Sequence, residues 1–254
     1  IRANLSNADL TGVDLSGKDL TGVNLTGVDL SQHDLSNTRL IRANLSNADL
    51  TGVDLSGKDL TGVNLTGVDL SQHDLSNTRL IRANLSNADL TGIDLSGKDL
   101  TGVNLTGIDL SQHDLSDTIL VDANLSNANL TGIDLSGKDL TGVNLTGIDL
   151  SQHDLSDTIL VDANLSNANL TGVDLSGKDL TGVNLTGIDL SQHDLSDTIL
   201  VDANLSNANL TGVDLSGKDL TGVNLTGIDL SQHDLSDTIL VDANLSNANL
   251  TGVD

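Results

Sequence analysis

The chain contains no Phe, Trp, Tyr, Met, Cys or Pro, and direct counting finds no Glu among its 36 acidic residues. Without cysteine there is no disulfide framework, although this alone does not assign a compartment. Without aromatic rings, which normally supply much of a globular core's buried area, any interior must be Leu, Val, Ile and Ala. No apolar run approaches the ~18 residues that a membrane-spanning helix needs, so no membrane insertion is expected. No signal-peptide pattern is visible either. Positive charge is scarce: 11 Lys and Arg against 36 Asp leave a formal charge of −25. That balance argues against direct binding of nucleic acid or an anionic membrane and favours cations or basic protein surfaces.

What is present is repetition. Abundant Asp, Asn, Ser, Gly and Thr would suit a disordered chain, but 37% of the residues are apolar and strictly placed. Residues 1–40 recur unchanged at 41–80 and with edits thereafter, giving six copies and a remnant at 241–254. Inside each copy runs a period of five, with Leu at every multiple of five from Leu5 to Leu250. A period of five fits neither a helix nor a plain strand. Asn7, Gly12, Gly17, Gly22 and Gly27 stand two places after a Leu and tolerate the positive φ of a type II turn. Each unit therefore reads as a very short strand plus a corner, and repeated corners make a solenoid.

The stretch ANLSNADLTGVDLSG, Ala3–Gly17, resembles the pentapeptide repeat family along the whole chain. The resemblance implies an all-β fold, a right-handed quadrilateral parallel β-helix with four five-residue units per 20-residue coil. The Leu and the residue two before it would point inward, and the residue just before the Leu would point out. About 13 coils would then form one continuous solenoid over 1–254, a rod of roughly 60 Å at ~4.8 Å per coil. The start at Ile1, within a repeat, suggests a segment of a longer protein.

The sequence departs from the family pattern where Lys18, His33 and Thr38 occupy inward positions. Stacked coils alternate Ala, Ala, Val, Lys with Val, Val, His, Thr, so large lies against small as a filled core requires. The plainer reading makes Lys18, His33 and Thr38 a polar core. Lys lays its methylenes inside, with an interior copy such as Lys58 donating to the Thr38 and Thr78 hydroxyls, and His bonds a corner carbonyl or water. The sharper reading makes the His and Lys columns a pH- or ion-sensitive element. No catalytic residues are assigned, because six near-identical His settings single out no Ser/His/Asp constellation.

Outside, one column is all Asp: Asp14, Asp34, Asp54, Asp74, Asp94, Asp114 and onward to Asp254. Unit charges ~4.8 Å apart repel by roughly 0.9 kcal/mol even in water, so raised carboxyl pKa values or attracted counter-ions are expected. Low-affinity divalent-cation binding is the functional alternative to a solvated face, with no other cofactor. Another column is all Asn, Asn4 through Asn244, whose amides can bond along the stack. The last face changes along the chain: Arg39 and Arg79 give way to Ile119, Ile159, Ile199 and Ile239, each followed by Val121, Val161, Val201 or Val241. This recurring apolar stripe is a candidate contact surface for a partner. Charge shifts as well, from −4 over residues 1–80 (10 Asp, 2 Lys, 4 Arg) to −10 over 121–200 (12 Asp, 2 Lys).

Two functions follow as expectations. One is a structural rod, spacer or filament that self-associates end to end or laterally, in an extracellular or cell-surface setting. The other, implied by family members that act on DNA gyrase, is an acidic DNA mimic binding gyrase or another DNA-binding protein. Enzymatic activity is not expected, since a rod offers no concave pocket.

Overall fold

The structure, a computed structural model, describes residues 3–253. The chain divides into two compact units, Ile1–Asn129 and Leu130–Asp254. Both are built alike, from corners.

After each Leu comes a two-residue turn, closed by the N–H three residues on. Ala8 N–H donates to the Leu5 carbonyl at 3.0 Å and Val13 N–H to the Leu10 carbonyl at 2.8 Å. The second turn residue takes positive φ, 54° at Asn7 and 74° at Gly12, where Asn and Gly are least strained. Four such corners return the chain to its own flank after 20 residues. There it pairs in parallel: Asn4 with Asn24, Asn24 with Asn44, Asn44 with Asn64. The expected short strands prove shorter still. Pairing among the described residues consists of isolated bridges, because each corner breaks the ladder after a single rung.

Inside, the leucines make the core. Leu25, Leu45, Leu65, Leu85 and Leu105 in the first unit, and Leu145, Leu165, Leu185, Leu205 and Leu225 in the second, are fully buried. The residues two before them, Val23, Ala43 and Val63 for instance, are buried too.

The pairing has a parity that follows the 40-residue repeat. Call residues 1–20, 41–60 and so on odd coils, and 21–40, 61–80 and so on even. The Asn column bridges at every step within each unit. The column Asp9, Asp29, Asp49 bridges only from an even coil to the following odd one, as in Asp29–Asp49 and Asp69–Asp89. The column Asp19, Arg39, Asp59 does the opposite, bridging Asp19–Arg39 and Asp59–Arg79. The column Asp14, Asp34, Asp54 forms no bridge among the described residues.

Candidate functional site

The unbridged column marks where the backbone opens, and the inward polar residues lie there. His33 Nε2 bonds the Leu10 carbonyl at 3.1 Å, Thr38 Oγ1 the Leu15 carbonyl at 2.8 Å, and Lys58 Nζ the Leu35 carbonyl at 2.8 Å. One rule covers all three: the side chain reaches the corner carbonyl 23 residues back. That carbonyl already accepts its own turn N–H, so the side chain takes its second lone pair. His73, His113, His153, His193 and His233 repeat the contact at 2.8–2.9 Å. The corner-carbonyl bond expected of His is thus present. The partner expected of Lys58 is not, since its ammonium donates to a carbonyl rather than to the Thr38 and Thr78 hydroxyls. Those hydroxyls are themselves donating backwards, Thr78 to Leu55 at 3.0 Å.

A carbonyl only accepts, so Nε2 must carry the imidazole proton. His33 Nδ1 lies 3.3 Å from the Ser31 carbonyl, while in His73, His113, His153, His193 and His233 Nδ1 is a bare acceptor, buried without a partner. Burial of an unbonded acceptor is a standing cost.

These side chains hold the coils apart, leaving clefts on the Asp side. His33, Asp34, Ser36, Gly52, Asp54 and Lys58 line one of about 270 Å³ in the first unit. His153, Asp154, Ser156, Asp174 and Lys178 line one of about 240 Å³ in the second, and Asp194, Asp197, Thr198, Asp214 and Lys218 line one of about 800 Å³. In that widest cleft Thr198 Oγ1 has turned to its own Leu195 carbonyl at 2.5 Å. Lys98 donates to Leu75 at 2.8 Å, whereas Lys178 and Lys218 make no such bond among the described residues.

The carboxylates at the cleft lips are committed to their own corners. Asp14 Oδ1 accepts the Ser16 amide at 2.9 Å and the Ser16 hydroxyl at 2.6 Å, and Asp54 and Asp94 repeat this with Ser56 and Ser96. Asp34, Asp74 and Asp114 each accept a Ser amide at 2.7 Å. The expected rise in carboxyl pKa is corrected accordingly. The Ser hydroxyl first, then the Ser amide, pulls the pKa of Asp14, Asp54, Asp94, Asp134, Asp174 and Asp214 below the ordinary carboxylate value. At Asp234 repulsion from Asp214 pushes upward, yet the hydrogen bonds to Ser236 prevail and the shift is downward. Local donors at hydrogen-bond distance outweigh charges that face each other across water. No three His or Asp side chains converge as a metal ion would require, among the described residues. Asp254 lies outside the described residues.

The Asn column is the tightest surface. Asn24 Nδ2 donates to Asn4 Oδ1 at 2.9 Å and Asn64 Nδ2 to Asn44 Oδ1 at 3.0 Å. At the intervening step Asn44 Nδ2 turns to Thr26 Oγ1 at 2.9 Å. Over Asn4 to Asn64 the ladder expected from stacked amides is therefore amide–amide at one step and amide–hydroxyl at the next.

The apolar stripe sits apart from the clefts' His residues. Ile119, Ile159, Ile199 and Ile239 are 47–49% exposed. Val121, Val161 and Val201 are half-buried, and Val241 is exposed. In place of these isoleucines the earlier copies have Arg39, 3.7 Å from Asp19, and Arg79, 3.8 Å from Asp59. The sequence offered one signal for the clefts: Lys and His occupy two neighbouring inward columns. Nothing in it revealed which carbonyl each would choose.

The family model described as "Pentapeptide repeats" matches in 8 copies, over residues 1–17, 19–57, 59–97, 99–137, 139–177, 179–217 and 219–254. Among solved structures, HetL, a pentapeptide repeat protein involved in heterocyst differentiation regulation in the cyanobacterium Nostoc sp. strain PCC 7120, is 32% identical, with 96% of this chain and 94% of that one covered and a TM-score of 0.25. A pentapeptide repeat protein of the Arabidopsis thaliana thylakoid lumen is 31% identical over 46% of this chain and 68% of that one, with a TM-score of 0.14. Full-length QnrB1, a plasmid-mediated fluoroquinolone resistance protein, is 21% identical over 81% of this chain and 92% of that one, with a TM-score of 0.21. No curated protein matches the chain. At these TM-scores the superpositions carry no argument, and the family assignment rests on the match of the repeats themselves.

Proposed function

Since the chain belongs to the pentapeptide repeat family, we propose that it is a non-catalytic structural repeat protein that self-associates. In this reading the chain is one right-handed quadrilateral β-helix of about 13 coils, used as a stiff rod or filament unit. One observation carries it. The groups that could do chemistry are tied to the scaffold: each His Nε2 to a corner carbonyl and each cleft Asp to a corner Ser. In His73, His113, His153, His193 and His233 one ring nitrogen is tied to a carbonyl and the other is buried, which leaves no imidazole nitrogen presented to a substrate.

Electron microscopy of the intact protein tests this. Rods or fibres with an axial repeat near ~4.8 Å support the reading. Particles that are single and compact at every concentration overturn it.

A second reading is an acidic decoy for gyrase or another DNA-binding protein. It draws on the later copies, where Asp at corners such as Asp122 and Asp162 replaces Arg. Inhibition of DNA supercoiling at low protein concentration would favour it over the structural reading.

A further inference from the structure

The corner that runs from the fourth inward position into the next copy is the one part of the repeat that reverses charge. Residues 37–42 and 77–82 read NTRLIR, net +2 each; residues 117–122, 157–162, 197–202 and 237–242 read DTILVD, net −2 each. Apart from the single column of lysines, Lys18 to Lys218, these arginines are the chain's positive charge in its described part. All of the corner's charged residues are exposed: Arg39, Arg42, Arg79 and Arg82 in the first unit, and Asp157, Asp162, Asp197 and Asp202 in the second.

We propose that the two arginine corners of one molecule dock on the acidic, isoleucine-bearing corners 157–162 and 197–202 of a second copy. This deepens the self-associating reading above and rests on it. Three observations favour a second copy as the occupant.

The first is charge. An apolar stripe flanked by carboxylates calls for a basic surface, and this chain carries one. The second is period. Both kinds of corner recur every 40 residues, two coils or roughly 10 Å apart, so two arginine corners meet two acidic corners in register. The third is availability. Arg42 and Arg82 have no ion pair among the described residues, and the Arg39–Asp19 and Arg79–Asp59 pairs are long and open to solvent. Such pairs exchange partners at little cost. The aliphatic stems of the arginines would lie on Ile159 and Ile199, each 48% exposed. The contact is heterologous, joining different surfaces of identical molecules. Near 0.15 M salt, general repulsion between chains of charge −25 is screened beyond about 8 Å, whereas charges in direct contact are screened much less.

The molecule supplies its own test variants, because the fold already carries either corner at the same place. R39I/R42D/R79I/R82D gives the arginine corners the Ile and Asp of the later ones, net −1 each. I159R/D162R/I199R/D202R does the reverse. Sedimentation velocity of the full chain would be run near 0.15 M salt, where the Debye length is about 8 Å and the general repulsion is largely screened, and near 1 M, where it is about 3 Å and the corner contact is screened as well. The wild type should associate at low salt and dissociate at high salt. Each variant alone should associate at least about tenfold more weakly, and an equimolar mixture of the two should recover. If the wild type assembles but neither variant changes it, the corner contact is overturned while end-to-end assembly, and the structural reading, stand. If the wild type is monomeric at both salts, the two fall together.

Discussion

The Asn column and the Asp column stand on the same scaffold, yet one is closed and the other open. Along the first, every step within a unit has a backbone bridge, and from Asn4 to Asn64 side-chain amides also bond a neighbouring amide or hydroxyl. Along the second there is no bridge among the described residues, and the carboxylates of Asp14 and Asp54 bond within their own corners. The difference lies in what points inward beside them. Ala and Val alternate behind the Asn column, so the coils close to hydrogen-bonding distance. Val and His lie behind the Asp column, and Lys and Thr next to it. The polar ends of His, Thr and Lys bond corner carbonyls of the preceding coil instead. The lesson is that a solenoid can spend its polar interior on one edge and keep the opposite edge continuous.

The comparison breaks most visibly in amide exchange. Leu65 N–H donates to the Asn84 carbonyl at 2.7 Å, while Leu75 N–H has no backbone partner among the described residues. With one repeat segmentally labelled, Leu65 should exchange more slowly by on the order of 100-fold. Equal rates would mean that the two edges open together.

Next in size is removal of a rung. Asn64 donates to Asn44 and accepts the Thr66 amide and hydroxyl at 3.1 and 2.6 Å. Asn64→Ala should cost about 1–3 kcal/mol by denaturant unfolding, whereas Asp74→Ala should leave the midpoint nearly unchanged. If the Asp variant is the more damaged, the open edge carries more stability than its geometry implies.

The wedge itself comes third. His113→Ala removes the bond to Leu90 and leaves a void, for about 1–3 kcal/mol. His113→Leu keeps the volume and discards the unpartnered Nδ1, so its cost should be under half of that. A Leu variant as weak as the Ala one would show that the carbonyl bond, not the volume, matters.

Smallest is the effect of acid. The lowered pKa of Asp14, Asp54 and Asp94 means that their stabilisation is complete above the unfolded value near ~3.9. It is lost as pH falls through the lower folded value. Ser56→Ala should return the Asp54 carboxyl titration, followed by NMR, towards the ordinary value. An unmoved midpoint would point away from the Ser bonds as its cause.

Much of this architecture was legible in advance. Leu at every fifth place, with Asn or Gly two places later, announced buried leucines and positive-φ corners, because few backbones satisfy that spacing. The His-to-carbonyl bond followed from an imidazole needing a partner indoors. The partner of Lys58 and the parity of the bridges did not follow. Both depend on how far a coil yields around a wedged side chain, a balance between backbone and side-chain donors for the same carbonyl. The direction of the Asp titration was misjudged for a related reason: charge spacing could be counted along the column, but the Ser bonds at 2.6–2.7 Å needed coordinates.

At the corners, side chain alternates with glycine. Asn7 stands under Gly27 with its Oδ1 too close to leave room for a Cβ there, and Arg42 packs its Cγ 3.1 Å from the place a Cβ would take on Gly62. A chain of near-identical five-residue units has a specific hazard, since a coil that wound one unit too far would still set Leu on Leu. It would also set Asn7 against Gln32 and part Arg39 from Asp19. The hydrophobic column is blind to such a miscount. The corners are its check digits, and they let a monotonous sequence count to four.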